Sequence, residues 1–220
     1  LGKNKEFIVA PQIDNLESAY LTLLGFIGAK NNQSINVYAS FDNEEVGSGT
    51  AQGALSNFLG DVIERVFDGL SLSNEERKRA IAKSFLVSCD NAHAIHPNNP
   101  AICDNDNGAV LNGGIVIKTN ANQLYTTDAV SMAVFKSILN EAKVKYQVFA
   151  NRSDQRGGST LGHLAVQKVT ISSIDIGLPQ LAMHSSMETA GSRDCDELVK
   201  AITHFYNKHL TKENNQFIIK

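Results

Sequence analysis

Cysteine is scarce in this chain. Cys89, Cys103 and Cys195 are its three in 220 residues, an odd number without C-x-x-C spacing. That excludes a cysteine zinc cluster and predicts a reduced, cytoplasmic location. An excess of one charge is also missing. Twenty Lys and Arg against 23 Asp and Glu leave a formal net charge of −3, which argues against a nucleic-acid partner or an anionic membrane surface. No stretch approaches the ~18 consecutive apolar residues of a membrane span. The opening Leu1-Gly2-Lys3-Asn4-Lys5-Glu6 places charge first with no long apolar run behind it, unlike a signal peptide. Internal repeats and low-complexity linkers are lacking too, so residues 1–220 read as a single domain. What is present is ordinary globular composition, 42% hydrophobic and 20% charged, with length enough for a sizeable core. Leu rather than Met stands first, which predicts a processed or partial chain.

Apolar runs and helix-period runs alternate along the chain. Phe7-Ile8-Val9-Ala10, Ile35 to Phe41, Ser84 to Ser88, Gly114 to Lys118, Tyr146 to Ala150 and Thr170 to Ile176 read as strands. Helices are expected from near Asn15, from Ser48 to about Phe67, from about Asn74, from about Asp128 to Ala142, from Gly157 to about Val169, and from Arg193 to about Leu210. This alternation predicts an α/β fold, a three-layer α/β/α sandwich on a mixed, largely parallel sheet. Asn91 to Gly114 is the one long loop, and such loops are often functional.

The richest chemistry lies in Phe41-Asp42-Asn43-Glu44-Glu45-Val46-Gly47-Ser48-Gly49-Thr50, two adjacent carboxylates between an expected strand and a glycine-serine turn. Adjacent glutamates can divide labour, one holding a divalent ion and the other taking a proton from the attacking water. Asp14, Asp90, His93, His96 and His184 also stand where expected strands run out, the ends that converge on one crevice in a doubly wound sheet. Three carboxylates with imidazoles suit zinc, manganese or cobalt, and a bridging carboxylate would serve two ions. Each residue has a plainer reading. Asp14 could cap the helix that follows it. Asp90 could be a turn residue, and Glu44 and Glu45 part of a solvated turn. His93 and His96 could bond only to loop backbone, and His184 could be a satisfied core histidine. Two lookalikes fail. Gly47 to Gly53 opens like a dinucleotide loop, but Gln52 occupies the third glycine position and Glu44 and Glu45 would repel a pyrophosphate. Asp104 to Gly108 hints at a calcium loop, but Ala109 and Ile115 replace its required Gly and Glu.

Five stretches carry a family resemblance: Ile13 to Leu16, Phe41 to Ser48, Asp90 to Asn98, Gly158 to Gly162 and Asp175 to Ser185. On these the chain resembles the metalloaminopeptidases that include aspartyl aminopeptidase and the yeast-type vacuolar aminopeptidase. The resemblance implies a zinc-exopeptidase fold, a two-zinc centre, peptide substrates and a homo-oligomer of the full-length protein. It makes Asp14 the bridging ligand, Glu44 the general base, Glu45 and His184 ligands of one ion, and Asp90 a ligand of the other. Lys118 would face an acidic substrate side chain, with Tyr125 and His93 beside it. The plainer reading of Lys118 is an exposed lysine leaving a strand. Gly158, in the turn Gly157-Gly158-Ser159, would offer backbone N–H groups to the substrate at a helix N-terminus. The resemblance also implies missing parts, namely N-terminal strands with one further histidine ligand and an inserted dimerisation domain. Met187 and Leu124 stand where arginines are common, which puts the substrate pocket in question more than the metals. The competing expectation is a catalytically silent subunit or fragment that acts only in assembly.

Overall fold

Four strands form the central sheet of this computed structural model, which describes residues 1–31, 33–155, 157–158, 160–214 and 216–220. They are β2 (Phe85–Cys89), β4 (Ile115–Thr119), β5 (Tyr146–Ala150) and β6 (Ser172–Gly177), in the spatial order β2-β6-β4-β5. β2 runs parallel to β6 and β4 parallel to β5, while β4 meets β6 antiparallel. Strand alternation sorts the side chains between two faces. Phe85, Val87, Ile115, Ile117, Ile174 and Ile176 pack against α1 (Ile13–Gly28), α4 (Ala129–Ala142) and α6 (Ser192–Tyr206). On the other face Leu86 meets α2 (Phe58–Gly69), α3 (Asn74–Lys83) and α5 (Leu161–Ala165), while Val116 and Phe149 pack with Tyr125. The result is the expected α/β/α sandwich on a mixed sheet. Each large apolar side chain fully buried in it contributes about 1.5–3 kcal/mol.

A second sheet extends the first. β1 (Phe7–Ala10), β3 (Ala92–His93), β7 (Pro179–Leu181) and β8 (Glu188–Gly191) lie in the order β1-β8-β7-β3. The chain passes from β2 to β3 and from β6 to β7 across short bends. Asp90 N–H to Ile176 O at 3.0 Å and Ala92 N–H to Leu178 O at 2.8 Å keep the two bends side by side. Glycine is required at 177, where a Cβ would stand 1.9 Å from Asp90 O. That close approach fixes the bend from which Asp90 projects.

Several elements differ from the sequence expectation. Ile35 to Phe41 joins no ladder among the described residues. Its polar groups are satisfied sideways instead: Tyr206 Oη donates to Val37 O at 2.9 Å, Asn36 Nδ2 to Tyr206 O at 3.0 Å, and Tyr38 Oη to Ala19 O at 2.8 Å. The helix expected from Ser48 begins only at Phe58. Turns occupy 48–57, where Leu55 N–H returns to Ser48 O and a Cβ at Gly53 would lie 2.3 Å from that oxygen. The helix expected over Gly157 to Val169 shortens to Leu161–Ala165. α6 stops at Tyr206, before Leu210. Beyond it β9 (Leu210–Glu213) and β10 (Gln216–Ile219) form a hairpin that sets Phe217 edge-on to Phe85, ring centroids 5.6 Å apart.

Candidate metal and catalytic site

β1 ends in a tight turn through Gln12, whose φ is 57°, and buried Ile13 anchors the start of α1. Asp14 and Asn15 are not helical, with Asp14 at φ −82° and ψ 113°. Such angles would suit a cap, but Asp14 Oδ1 has no partner among the described residues and Oδ2 turns to His184, so its side chain does not cap the helix. Its Oδ2 lies 3.1 Å from His184 Nε2. His184 occupies the turn between β7 and β8, rather than the end of β6, in a left-handed conformation at φ 65°. Glu45 reaches the same nitrogen at 3.0 Å. Asp14, Glu45 and His184 thus offer three ligand atoms within 4.8 Å of one another. Asp14 Oδ1 is buried and has no hydrogen-bond partner among the described residues. Two carboxylates and an imidazole aimed at one point, with an orphaned oxygen among them, fit a divalent cation of zinc type.

The fields around this point explain its protonation. Burial, with Asp90 and Glu45 nearby, raises Asp14 to about 7 despite the imidazole beside it. Glu44 is half-buried, and desolvation with Asp90 and Glu45 raises it too. Desolvation would lower the His184 imidazole, but Glu45 and Asp14 outweigh it and the net shift is upward. A glutamate lifted in this way is a stronger proton acceptor than an ordinary surface carboxylate.

Asp90 does not join the three-atom cluster. It accepts from Lys118 Nζ at 3.3 Å, and the same ammonium donates to Asn91 O at 2.8 Å. Lys118 is 2% exposed, which corrects its reading as a surface lysine leaving a strand. Burial alone would lower its pKa, but Asp90 and Asp175 reverse that and hold it raised. Buried Tyr125 lies beneath the ammonium, 5.4 Å from ring centroid to Nζ. His93, on β3, is pulled down by desolvation and by the charges of Lys118 and His184. Among the described residues His96 accepts from Asn98 N–H, at 3.2 Å, and takes no part in the cluster. Gly158 is exposed in a loop before α5, so its amide does not open a helix, and Ser159 lies outside the described residues. Burial pushes the Cys89 and Cys195 thiols up to about 12, so neither serves as a thiolate.

Two supporting residues escape a reading of the sequence. Glu188, 2% exposed, accepts Asp14 N–H at 3.0 Å and His184 N–H at 2.6 Å, binding both backbones to one carboxylate. Asn91 accepts from Ser18 Oγ at 2.7 Å and donates to Gln180 Oε1 at 2.6 Å, locking α1 to β7 behind Asp90. Each is a buried polar residue inside or beside a strand. That exception to strand patterning is the one signal that could have found them.

A mixed sheet between helix layers, with two carboxylates and an imidazole brought together in turns beside its extension, defines an α/β protein with a candidate metal site. The chain belongs to the aminopeptidase I zinc metalloprotease family, M18, whose profile matches residues 1–206. It is 44% identical over 207 residues to a probable M18 family aminopeptidase 2 of Clostridium novyi, covering 94% of this chain and 48% of that protein. The chain thus spans about half the length of the curated relatives it matches. Among solved structures it is similar to a chain of the Ape4 and Nbr1 complex, with a TM-score of 0.87 and 36% identity over 94% of this chain and 40% of that one. It is also similar to the S. cerevisiae mApe1 dodecamer, with a TM-score of 0.80 and 27% identity over 94% and 47%. The hairpin of β9 and β10 lies beyond the family match.

Proposed function

We propose that this chain is the portion of an M18 aminopeptidase that carries its metal centre, and that the protein removes the N-terminal residue of peptides. The observation that carries the reading is the convergence of Asp14, Glu45 and His184, with the raised Glu44 next in sequence. Asp14, Glu45, His184 and Asp90 would hold two divalent ions, zinc first, with manganese or cobalt as substitutes. Bound there, such ions would polarise the scissile carbonyl and make water more acidic. Glu44 accepts the proton of the attacking water and passes it to the leaving amine. Lys118, Tyr125 and His93 line the side on which the first side chain is read, and Lys118 favours Asp or Glu there. The Gly158 backbone would meet the substrate from the loop before α5.

The share of the relatives' length supports placing the N-terminal strands and an inserted dimerisation domain outside this chain. Leu16, Tyr20, Leu24 and Ile27 form an exposed apolar stripe along α1, as expected of a face that such a part covers. The mApe1 dodecamer supports a homo-oligomer. Among the described residues no helix is long and apolar enough to cross a membrane. Glu44→Gln in a full-length parent tests the reading. Metal content should persist while turnover falls by at least about 100-fold, since an amide cannot accept the proton. Loss of metal together with activity would show that Glu44 and Glu45 have exchanged roles. Fewer than one tightly held ion per chain in the parent would favour a silent, assembly-only subunit.

A further inference from the structure

Asp175 lies in β6 with no exposed surface, on the face of the sheet that also carries Lys118. Its Oδ2 accepts from Thr126 N–H at 2.5 Å and from Thr126 Oγ1 at 3.0 Å. Its Oδ1 accepts from Thr160 Oγ1 at 2.7 Å. The backbone N–H of Asp175 donates to Thr127 Oγ1 at 3.0 Å. Thr126 follows Tyr125 directly, and Thr160 stands two residues beyond Gly158. The two threonines belong to different connections, one after β4 and the other after β5. Packing behind this carboxylate is tight, since a Cβ on Gly162 would meet Asp175 Oδ1 at 2.8 Å and Ser88 Cβ at 2.6 Å.

A buried carboxylate is expensive unless donors satisfy both of its oxygens. Here the donors come from the two loops, so the carboxylate holds its place only while both loops hold theirs. Charge-assisted bonds of this kind are roughly twice as strong as neutral ones. We propose that Asp175 is a positioning residue that fixes the Tyr125 loop against the Gly158 loop, and so sets the spacing of these two loops on the Lys118 face of the sheet without touching substrate. The tether rests on the hydrogen bonds; only its link to peptide binding depends on the aminopeptidase reading.

Hydrogen–deuterium exchange on the metal-free full-length parent tests the tether independently of activity. Asp175→Asn should speed exchange about tenfold in both Tyr125–Thr127 and Thr160–Leu164, because an amide offers only one acceptor oxygen. Thr160→Val should speed only the second segment, and Thr160→Ser, which keeps the hydroxyl, should restore it. Exchange in β4 and α4 should stay at the parent rate, and zinc titrations should superpose within about threefold, because the carboxylate lies outside the cluster. In a full-length parent, Asp175→Asn should raise KM for peptides with kcat nearly unchanged. Parent-rate exchange in both loops, or acceleration spread evenly through β4 and α4, overturns the proposal. If Asp175→Asn does not fold, the Thr160→Val and Thr160→Ser pair decides it. If the parent hydrolyses no peptide, the aminopeptidase reading fails while the exchange result still judges the tether.

Discussion

The proposed cation role of Asp14 would come at the expense of the metal-free fold, and Asp14→Asn should expose the conflict. Its side chain is 4% exposed, Oδ1 has no partner, and burial with Asp90 and Glu45 nearby raises its pKa from 3.8 to about 7. An acid raised on folding is protonated in the folded chain while ionised in the unfolded one between those two values. Stability is therefore lost as pH rises from about 4 to about 7 and stays lost above. At about 1.4 kcal/mol per unit the ceiling is on the order of 4 kcal/mol. Glu45 and His184 are more than half exposed, and solvent screening through them reduces this to about 2 kcal/mol. In chelator at pH 8, Asp14→Asn should melt about 4–8 °C above the parent, taking about 2–4 °C per kcal/mol for a chain of this size. The gap should shrink steadily as pH falls from 7 towards 4. Saturating zinc should reverse the order, since a ligand at 100 times its Kd adds about 2.7 kcal/mol to the parent. Differential scanning fluorimetry across pH, with chelator and with zinc, measures all three. A variant no more stable than the parent at pH 8 in chelator, or a gap independent of pH, would refute the electrostatic reasoning.

Three further outcomes are expected. Asp14→Ala should empty both metal positions, whereas Glu45→Ala or His184→Ala should mainly weaken one; metal analysis of the purified variants decides, and a fully loaded Asp14→Ala chain would remove its bridging role. Lys118→Met should lower kcat/KM for substrates beginning with Asp or Glu by roughly 10- to 100-fold while sparing neutral ones. Because the Lys118 charge lowers both Asp14 and Glu44, its loss should also move the acidic limb of the pH profile upward; faster cleavage of Leu-Ala than Asp-Ala by the parent would end the acidic-pocket idea. Gly177→Ala must displace the Asp90 carbonyl, so it should cost about 3 kcal/mol or more in thermal unfolding, and an unchanged Tm would contradict the bend geometry.

What could be read from the sequence follows from which features are local. The apolar strands Phe85–Cys89, Ile115–Thr119 and Tyr146–Ala150 satisfy period-two packing within their own residues, and they fold within a residue of where that pattern places them. Asp14, Glu45 and Asp90 could be picked out because a carboxylate just past an apolar run cannot continue into the core. Ile35 to Phe41 carries the same alternation, yet whether such a run becomes a strand depends on a neighbour, and its bonds go to Tyr206 and Ala19 instead. The turn holding His184 was hidden for a related reason. β7 and β8 are three and four residues long, too short for a pattern, and they exist because β6 and β2 carry their pairing onward past Gly177.

The same distinction separates the candidate reacting groups from those that hold them. A reacting side chain must reach solvent and substrate, so it sits at strand ends and turns, where polar residues stand out against apolar runs. A group that fixes it must be buried, because only a buried hydrogen bond is strong and rigid enough to set a position. Glu188, Asn91 and Asp175 therefore lie inside the pattern they break, each 3% exposed or less, and each has at least one partner 49 or more residues away in the chain. No spacing rule reaches that far. A single acid at an inward strand position, as Asp175 is between Ile174 and Ile176, remains the legible trace of such a group. It marks where the fold has given up an apolar contact to hold two loops in place.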